Sequence, residues 1–393
     1  MKVLKFLFIV FSLSLSSNGI GQAFEWEWES SFSYPHIARD DAIAFAIADT
    51  IYYGSGNHGG FANSNIFYKY QVSTNTWTPI ASFPGLARQY STAATIGNKG
   101  YVCGGIDLFS NPLNDLWEYD PASDTWTELA VFPAAERWQA ASFVLNGKLY
   151  YGSGRGWDVI YKDFWCFDPV LNVWEQISDL PKLPCYETIS FELYDKGYLG
   201  LGRDCTGVYL NDFWSYLPQD DQWSQEADFP SDARYYAKAE AFNGFGIVGS
   251  GQNELGQILS DFWAYDPLLK SWSQLPNPPM SNRRGMASAA VPYFGAYFIA
   301  GLDESFNRSK EMFWLKAIPA AEASFALTYQ QTNRSLYITD ISVASTVWIF
   351  DLNGKVLCQT NSVDTHFQLD VSNWAKGMYL VRINAETKKI VLY

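Results

Sequence analysis

The chain has 393 residues and a formal net charge of −14, and 17% of its residues are aromatic. With 48% hydrophobic residues it can bury a large core, and its negative charge disfavours binding to nucleic acid. Only three histidines are present and no two are close in sequence, which argues against histidine-based metal catalysis and predicts no metal site and no cofactor.

The N-terminal residues are typical of a secretory signal peptide. Lys2 and Lys5 form a short basic start, an apolar run broken only by Ser reaches residue 15, and small residues precede Gln22. Residues 1–21 are therefore expected to be removed on export, with an uncleaved anchor as the alternative. No later stretch approaches eighteen uninterrupted apolar residues, so no integral membrane span is expected after cleavage.

Tryptophan recurs at a fixed interval through most of the chain. Successive members of a first series are 48 or 49 residues apart, and a Pro follows each of them by seven residues. An Arg follows that Pro by four residues in five of the six repeats, and Cys185 takes its place in the fourth. The first series is Trp28, Trp77, Trp126, Trp174, Trp223 and Trp272, and a second, in phase with it, is Tyr68, Trp117, Trp165, Trp214, Trp263 and Trp314.

Each repeat is predicted to contain four strands. In the third repeat, a strand over 140–145 is followed by Asn146 and Gly147, a pair typical of a two-residue hairpin turn, and by a return strand over 148–152. Two further strands follow at the tryptophans of the two series. Four strands at this period predict a propeller blade, and the aromatic side chains are expected to fill the space between blades.

The repeat resembles the Kelch family. The resemblance is carried by glycine pairs such as Gly104 and Gly105, split as Gly-x-Gly in most repeats, by the Tyr before them and by the spaced tryptophans, over roughly residues 24–317. It implies an all-β fold, a six-bladed Kelch β-propeller, over residues 22–318. The sixth repeat lacks a fourth-strand Trp, so a strand around Trp28 is expected to close the last blade.

After Pro319 the repeat stops, and short alternating strands are expected to the end of the chain. Residues 347–356, 374–382 and 388–391 resemble the C-terminal sorting domain of the bacterial type IX secretion system. The resemblance implies a small β-sandwich over 319–393, the type IX secretion machinery as a partner, and a secreted or outer-surface location. A β-sandwich appended for binding is the alternative.

A candidate binding site is expected at one opening of the propeller axis. The loops before each inner strand and those between the second and third strands emerge on the same face. The repeat arginines fall in the first loop set, where they either recognise a carboxylate or brace neighbouring blades. The predicted ligand contacts are Arg39, Arg88, Arg137, Arg234, Arg284, Trp157, Arg203, Asp107 and Glu254, and the same loops carry Asn57, His58, Arg155, Asp158, Asp204, Asp303 and Glu304.

A disulfide is predicted between Cys185 and Cys205. Cys185 takes the Arg position of the fourth repeat, and Cys205 lies in the loop between the second and third strands of the same repeat. Antiparallel pairing around a turn near Tyr194 places residue 185 opposite about residue 204. Export permits a disulfide, and a bridge over a loop of this length stabilises by about 3 kcal/mol.

Three functions from different classes remain open. The first is a secreted or cell-surface module that binds a glycan or a protein ligand at the axial mouth. The second is a sugar epimerase or mutarotase, because the chain resembles the sialic acid mutarotase group of Kelch proteins in being an exported six-bladed propeller; a carboxylate such as Glu254 is then a candidate acid or base. The third is a structural surface component without a small ligand. A copper-radical oxidase is disfavoured because only His36 and His58 fall in the propeller, and the sequence assigns no catalytic residue.

Overall fold

The computed structural model describes residues 24–31, 34–59, 62–319, 326–330, 334–339, 346–351, 355–361, 366–383 and 386–392. The predicted signal peptide, residues 1–21, lies outside these ranges. The chain separates into two compact units, one over Glu25–Ile318 and one that begins at Pro319. No helix among the described residues is long and apolar enough to cross a membrane.

The first unit is built from strands with one short 3-10 helix, Val72–Thr74, among its described residues. The strands are β1 (Phe24–Ser31), β2 (Ile43–Ile47), β3 (Thr50–Gly54), β4 (Phe67–Gln71), β5 (Thr76–Pro79), β6 (Arg88–Gln89), β7 (Thr92–Ile96), β8 (Lys99–Cys103), β9 (Ile106–Asp107), β10 (Leu116–Asp120), β11 (Thr125–Glu128), β12 (Ala141–Leu145), β13 (Lys148–Gly152), β14 (Phe164–Asp168), β15 (Val173–Ile177), β16 (Cys185–Tyr186), β17 (Ile189–Leu193), β18 (Lys196–Gly200), β19 (Arg203–Asp204), β20 (Phe213–Leu217), β21 (Gln222–Gln225), β22 (Arg234–Tyr235), β23 (Lys238–Phe242), β24 (Phe245–Gly249), β25 (Gln252–Asn253), β26 (Phe262–Asp266), β27 (Ser271–Gln274), β28 (Ala287–Val291), β29 (Gly295–Ile299) and β30 (Met312–Pro319).

Six four-stranded sheets form the six blades of a propeller. From the inner to the outer strand, blade 1 is β2-β3-β4-β5, blade 2 is β7-β8-β10-β11, blade 3 is β12-β13-β14-β15, blade 4 is β17-β18-β20-β21, blade 5 is β23-β24-β26-β27 and blade 6 is β28-β29-β30-β1. The inner strands of neighbouring blades contact one another around the axis. The expected six-bladed propeller is confirmed, and β1 supplies the outer strand of blade 6, so the first and last segments of the unit share one sheet.

Tight turns and close backbone approaches account for the glycine pattern. In blade 3 the inner hairpin turns at Asn146 and Gly147, which both adopt positive φ angles, of 53° and 73°. Gly202, in the Gly-x-Gly of blade 4, has a φ of 89°, and a Cβ added there would lie 2.5 Å from the Tyr186 carbonyl oxygen. Only glycine permits this approach, which brings the strand end against the segment that leads to the mouth.

The outer-strand tryptophans join neighbouring blades. Trp223, for example, packs its ring against Phe164 of the adjacent blade at 4.9 Å between centroids, and in five of these tryptophans the indole N–H donates to a backbone carbonyl of the adjacent blade. These bonds run from Trp28 to Pro276 (2.6 Å), Trp126 to Ala81 (3.0 Å), Trp174 to Ala130 (2.9 Å), Trp223 to Ser178 (3.0 Å) and Trp272 to Ala227 (2.9 Å). The in-phase tryptophans therefore belong to the core.

The second unit contains two sheets of short strands. Its strands are β31 (Ala326–Gln330), β32 (Ser335–Thr339), β33 (Thr346–Phe350), β34 (Val356–Asn361), β35 (His366–Asp370), β36 (Gly377–Ile383) and β37 (Glu386–Leu392), paired as β31-β32-β35 and β34-β33-β36-β37. Leu336, Val347, Val381 and other apolar side chains of both sheets form one buried cluster. The small β-sandwich is confirmed, and β31 and β35 are additions to the strands expected from the sequence.

Candidate functional site

Six short ribbons, one per blade, build the mouth of the propeller. In each, the residue after the repeat arginine (or Cys185 in blade 4) pairs with the loop between the second and third strands. The pairs are Asp40–Asn57, Gln89–Ile106, Trp138–Arg155, Tyr186–Arg203, Tyr235–Gln252 and Arg284–Leu302. The side chains that follow the repeat arginines, and not those arginines themselves, are thereby carried to the mouth.

The repeat arginines form buried braces within the blades. Arg137 donates to both carboxylate oxygens of Asp163, at 2.8 and 3.0 Å, and to the Ser153 carbonyl at 3.1 Å. Its guanidinium carbon lies 4.8 Å from the centroid of the Phe132 ring. Equivalent braces join Arg88 to Asp115 in blade 2 and Arg234 to Asp261 in blade 5, and in blade 6 Arg283 bonds Glu311 at 2.9 Å. In blade 1 Arg39 donates instead to the Ser55 carbonyl at 2.8 Å and lies 3.2 Å from His36 Nδ1.

These contacts correct the expectation of ligand binding by Arg39, Arg88, Arg137 and Arg234. The four side chains are at most 1% exposed, and their partners are supplied by the protein itself. A buried guanidinium with its partners in place cannot also meet a ligand at the mouth. These four arginines are therefore braces rather than ligand contacts, and each brace lies within one blade and not between neighbouring blades as predicted.

Blade 4 departs from the repeat, and the predicted disulfide is not formed there. Lys182 Nζ takes the place of the guanidinium, 2.6 Å from Asp212 Oδ1. Cys185 is buried, Cys205 is exposed, and both are free thiols. The strand register places Cys185 opposite Asp204, and Cys205 lies in the turn that follows the strand β19.

Three other arginines do lie at the mouth, alternating with aromatic rings. Arg155 and Arg203 share the Tyr186 ring, with guanidinium carbons 4.9 and 6.0 Å from its centroid. Arg203 also lies 5.6 Å from the centroid of Tyr235. We call the set Arg155, Tyr186, Arg203, Tyr235, Tyr236 and Arg284 the aromatic–arginine arc, which runs across blades 3 to 6.

The far end of the arc follows the same pattern. The ring centroids of Tyr235 and Tyr236 are 4.4 Å apart, and the Arg284 guanidinium carbon is 4.5 Å from the centroid of Tyr236. Each of the three guanidinium groups of the arc is therefore packed against at least one ring of the same arc. Stacking of this kind orients the plane of a guanidinium while leaving its donors for other partners.

Among the described residues, none of the three arc arginines has an ion pair. The Nε atoms of Arg203 and Arg284 also lack a hydrogen-bond acceptor in that part of the chain. Arg308, which lies in blade 6 beside the end of the arc, is by contrast neutralised, because its Nε lies 2.6 Å from Asp40 Oδ1 and its guanidinium bonds the Asn57 side chain at 2.7 Å. In a chain with a net charge of −14, the arc is a local concentration of uncompensated positive charge.

A ring of six residues closes the axis beneath the mouth. We call it the axial ring: Asp41, Tyr90, Gln139, Glu187, Tyr236 and Gly285, each two positions after the repeat arginine or its substitute and each with a positive φ between 51° and 61°. Backbone bonds link successive members, as from Gln139 N–H to the Tyr90 carbonyl at 3.1 Å. The hydroxyls of Tyr90 and Tyr236, from opposite blades, are 3.2 Å apart and span the axis.

The axial ring holds carboxyl groups that resist ionisation. Burial raises the pKa of Asp41 to about 8, with Asp40 adding to the effect and Arg284 opposing it. Burial likewise raises the pKa of the Glu187 carboxyl well above its usual range. Gln139 donates a hydrogen bond to Glu187 Oε1, whereas Glu187 Oε2 is buried with no partner among the described residues. Burial therefore favours the protonated, neutral form of both carboxyl groups.

A buried amine lies near the same groups. Lys238, the first residue of the inner strand of blade 5, has its pKa lowered by burial, and the charges of Asp41 and Glu187 act in the opposite direction. Within the part of the chain that the structure describes, no group of His, Cys, Asp or Glu side chains is placed to hold a metal ion.

The remaining predicted contacts differ in their roles. Trp157 is 57% exposed at the mouth, with its ring 5.3 Å from that of Trp138, and Glu254 is exposed in its loop. Asp107 is buried and accepts backbone bonds from Phe109 and Asn111, both at 2.8 Å, so it holds its own loop in shape. Of the predicted ligand contacts, Arg203, Arg284, Trp157 and Glu254 remain available at the mouth.

Sequence reasoning missed the tyrosines of the arc and most of the axial ring. A regular spacing in the sequence would have identified them: the residue directly after each repeat arginine lines the mouth, and the next residue belongs to the floor. In blade 4 these are Tyr186 and Glu187, and in blade 5 they are Tyr235 and Tyr236.

Comparison with known families agrees with this architecture. The sequence matches the KLHDC2/KLHL20/DRC7 Kelch-repeats domain over residues 25–190, the Kelch motif over residues 251–279 and the secretion system C-terminal sorting domain over residues 330–392. The chain is a Kelch-repeat propeller with a C-terminal type IX secretion sorting domain.

The solved structure described as that of YjhT shares the fold of the Kelch propeller. The two superpose with a TM-score of 0.60 at 19% sequence identity, over 72% of this chain and 98% of that one. No curated protein matches the sequence. The sorting domain indicates that the Kelch propeller is exported, as a secreted or outer-surface protein, through interaction with the secretion machinery.

Proposed function

We propose that the exported Kelch propeller is a binding module for an anionic carbohydrate or protein ligand, held at the aromatic–arginine arc. One observation carries the proposal: Arg155, Arg203 and Arg284 lie along one mouth, packed on aromatic rings, without ion pairs among the described residues. The buried arginines of blades 2, 3, 5 and 6 each have a carboxylate partner, and Arg39 of blade 1 is held by the Ser55 carbonyl instead. The three arginines of the arc are oriented and unneutralised, which suits them to the carboxylate of a ligand.

A binding screen of the full chain against glycans, including sialylated and uronic-acid sugars, tests the proposal. Arg203→Gln removes the central cation of the arc, and Arg308→Gln removes a mouth arginine that is already paired with Asp40. We expect saturable binding that is lost in Arg203→Gln and kept in Arg308→Gln. If neither glycans nor acidic peptides bind, the proposal fails and the propeller is better regarded as a structural surface component.

A sugar mutarotase is the second candidate, and the neutral Glu187 carboxyl favours it. Glu187 lies in the axial ring directly after Tyr186 of the arc, and burial raises its pKa well above the usual range, which favours the protonated form. A protonated carboxyl group can donate its proton to the ring oxygen of a bound sugar as the bond from that oxygen to the anomeric carbon breaks, while water accepts the proton of the anomeric hydroxyl, which becomes the carbonyl oxygen; both transfers reverse when the ring closes.

The candidates differ in turnover. Anomer exchange of sialic acid, followed by NMR with catalytic amounts of protein, should be accelerated if the propeller is a mutarotase. Glu187→Gln should then slow exchange by about 100-fold or more while leaving sugar binding in place. Exchange at the uncatalysed rate with bound sugar would leave binding as the function.

A further inference from the structure

We infer that the aromatic–arginine arc is an elongated site for an acidic oligosaccharide, in which the carboxylates of successive sugars pair with Arg155, Arg203 and Arg284. The inference rests on the proposed function and specifies its ligand, which carries several carboxylates in a row and not a single anionic group. Its basis is the order of side chains along the arc, in which every step from one cation to the next passes an aromatic ring.

The cations are spaced by ring-sized units. Arg155 and Arg203 lie on the same Tyr186 ring, so their guanidinium carbons are no further apart than the sum of 4.9 and 6.0 Å. Between Arg203 and Arg284 lie Tyr235 and Tyr236, with ring centroids 4.4 Å apart. A single monosaccharide carboxylate can satisfy one of these guanidinium groups, and a linear ligand is needed to satisfy all three.

The floor of the mouth forces a ligand to lie across it. The Tyr90 and Tyr236 hydroxyls meet across the axis at 3.2 Å, so the space above the axial ring has no continuation down the propeller. Arg308, in the blade 6 loop next to blade 1, is already paired with Asp40 and so does not compete for the ligand. A ligand longer than one unit therefore extends along blades 3 to 6, where the arc lies.

A uronic-acid chain fits this pattern better than an acidic peptide does. A uronic acid carries its carboxylate directly on the sugar ring, so the group that pairs with a guanidinium is part of a rigid unit. In a peptide each carboxylate is on a flexible side chain, whose ordering costs entropy, and the backbone needs hydrogen-bond partners that ring faces do not provide. Trp157, 57% exposed beside Trp138, extends the aromatic surface past Arg155.

Calorimetry of the full chain with galacturonic acid and its di-, tri- and tetramer tests the inference. We expect the affinity to rise by about tenfold with each carboxylate up to the trimer, because each adds a charge-assisted contact, and to gain little at the tetramer. The methyl-esterified trimer, which has the same rings without the charges, should bind at least about 100-fold more weakly than the acid.

Variants assign the effect to the arc. Arg203→Gln should weaken trimer binding by about 100-fold, because the central contact also links the two outer ones. Arg203→Lys keeps the charge but loses the bidentate geometry of the guanidinium, so its affinity should lie between those of the wild type and Arg203→Gln. Arg155→Gln should reduce the affinity for the trimer to that of the wild type for the dimer. Arg308→Gln is the matched control and should change nothing; near-UV circular dichroism confirms that each variant is folded.

The outcomes separate the inference from the proposed function. If monomer and trimer bind equally well through Arg203, the site takes one carboxylate, so the inference fails while the proposed function stands. If hexaglutamate binds more tightly than the trimer with the same Arg203 dependence, the ligand is an acidic peptide and the saccharide assignment is overturned. If no acidic ligand binds, both the inference and the proposed function fail.

Discussion

At the scale of single residues, arginine side chains occupy two different environments in this propeller. Arg137 is buried with both oxygens of Asp163 and a ring face at its disposal, whereas Arg155 packs on rings with no carboxylate. The Asp163 carboxylate also accepts the indole N–H of Trp165 at 2.9 Å, so one carboxylate fixes two side chains. Removing a brace arginine such as Arg137 should therefore reduce stability, whereas removing an arc arginine such as Arg155 should reduce ligand binding and leave stability nearly unchanged.

Arg137→Ala should destabilise the propeller by about 3 kcal/mol, because it leaves the Asp163 carboxylate without its partner; the value is set low in the usual range since that side chain is 21% exposed. Arg155→Ala should change stability by less than about 1 kcal/mol. Urea unfolding followed by tryptophan fluorescence measures both. Equal losses for the two variants would contradict the distinction between brace and arc.

The buried carboxyl groups around the axis make stability depend on pH. The pKa of Asp41 is raised to about 8 and that of Glu240 also to about 8, in both cases mainly by burial. A folded state that holds its protons more tightly than the unfolded chain loses stability as the pH rises. The urea midpoint should therefore fall between about pH 4 and pH 8, and Asp41→Asn should flatten part of that slope. A midpoint that rises through this range would contradict the assignment.

The two cysteines of blade 4 should react differently. Cys205 is exposed and should be alkylated in the folded protein, whereas Cys185 is buried and should react only after unfolding. Mass spectrometry of the exported protein, with and without reductant before alkylation, reads both thiols. If both cysteines escape alkylation until reductant is added, the disulfide predicted from the sequence does form.

At the scale of a blade, the repeat tolerates exchange of its brace. Blade 4 has Cys185 where the other blades have Arg, and Lys182 approaches Asp212 from three positions earlier in the chain. Asp212 still accepts the Trp214 indole N–H at 2.7 Å, as Asp163 does from Trp165. In blades 2 to 5 the pair of carboxylate and indole is therefore constant, and only the cation is exchanged in blade 4.

This exchange can be tested by moving the cation. Lys182→Met should destabilise the propeller by about 1–3 kcal/mol, because Asp212 loses a charge-assisted bond. Adding Cys185→Arg to that variant places a guanidinium at the repeat position and should recover most of the loss in urea unfolding. Lack of recovery would mean that the blade 4 backbone no longer admits the arginine.

The sequence predicts elements of this fold better than it predicts the site. Spacing of Trp77, Trp126 and their equivalents is preserved because each ring must meet the same neighbour in each blade, so blade count and strand order follow from it. The mouth obeys no such requirement, since Tyr186, Tyr235 and Arg284 share a position and differ in kind. The sequence did not show which arginines have a carboxylate partner within the protein, because those partners lie 26 to 28 residues away and come together only in the folded blade.

At the scale of the whole molecule, ring closure depends on the N-terminal strand. Trp28 packs against Phe262, with centroids 4.9 Å apart, and donates its indole N–H to the Pro276 carbonyl at 2.6 Å, both in blade 5. Deleting residues 25–31 should expose the edge of β30 and the aromatic cluster beneath Trp28. We expect self-association in sedimentation and loss of a single cooperative unfolding transition. Trp28→Phe, which keeps the ring but loses the donor, should remain monomeric.

The axial ring also determines what could pass through the propeller. Five of its six residues hold a left-handed backbone at a cost of about 1–2 kcal/mol each, while Gly285 holds it freely. Replacing Tyr90 and Tyr236 by glycine would relieve the backbone and remove both phenol rings from the axis at once. The backbone conformation is the same at all six positions of the axial ring, and the side chains determine how wide the axial opening is. Glycine at these positions would give both the widest opening and the least strained backbone.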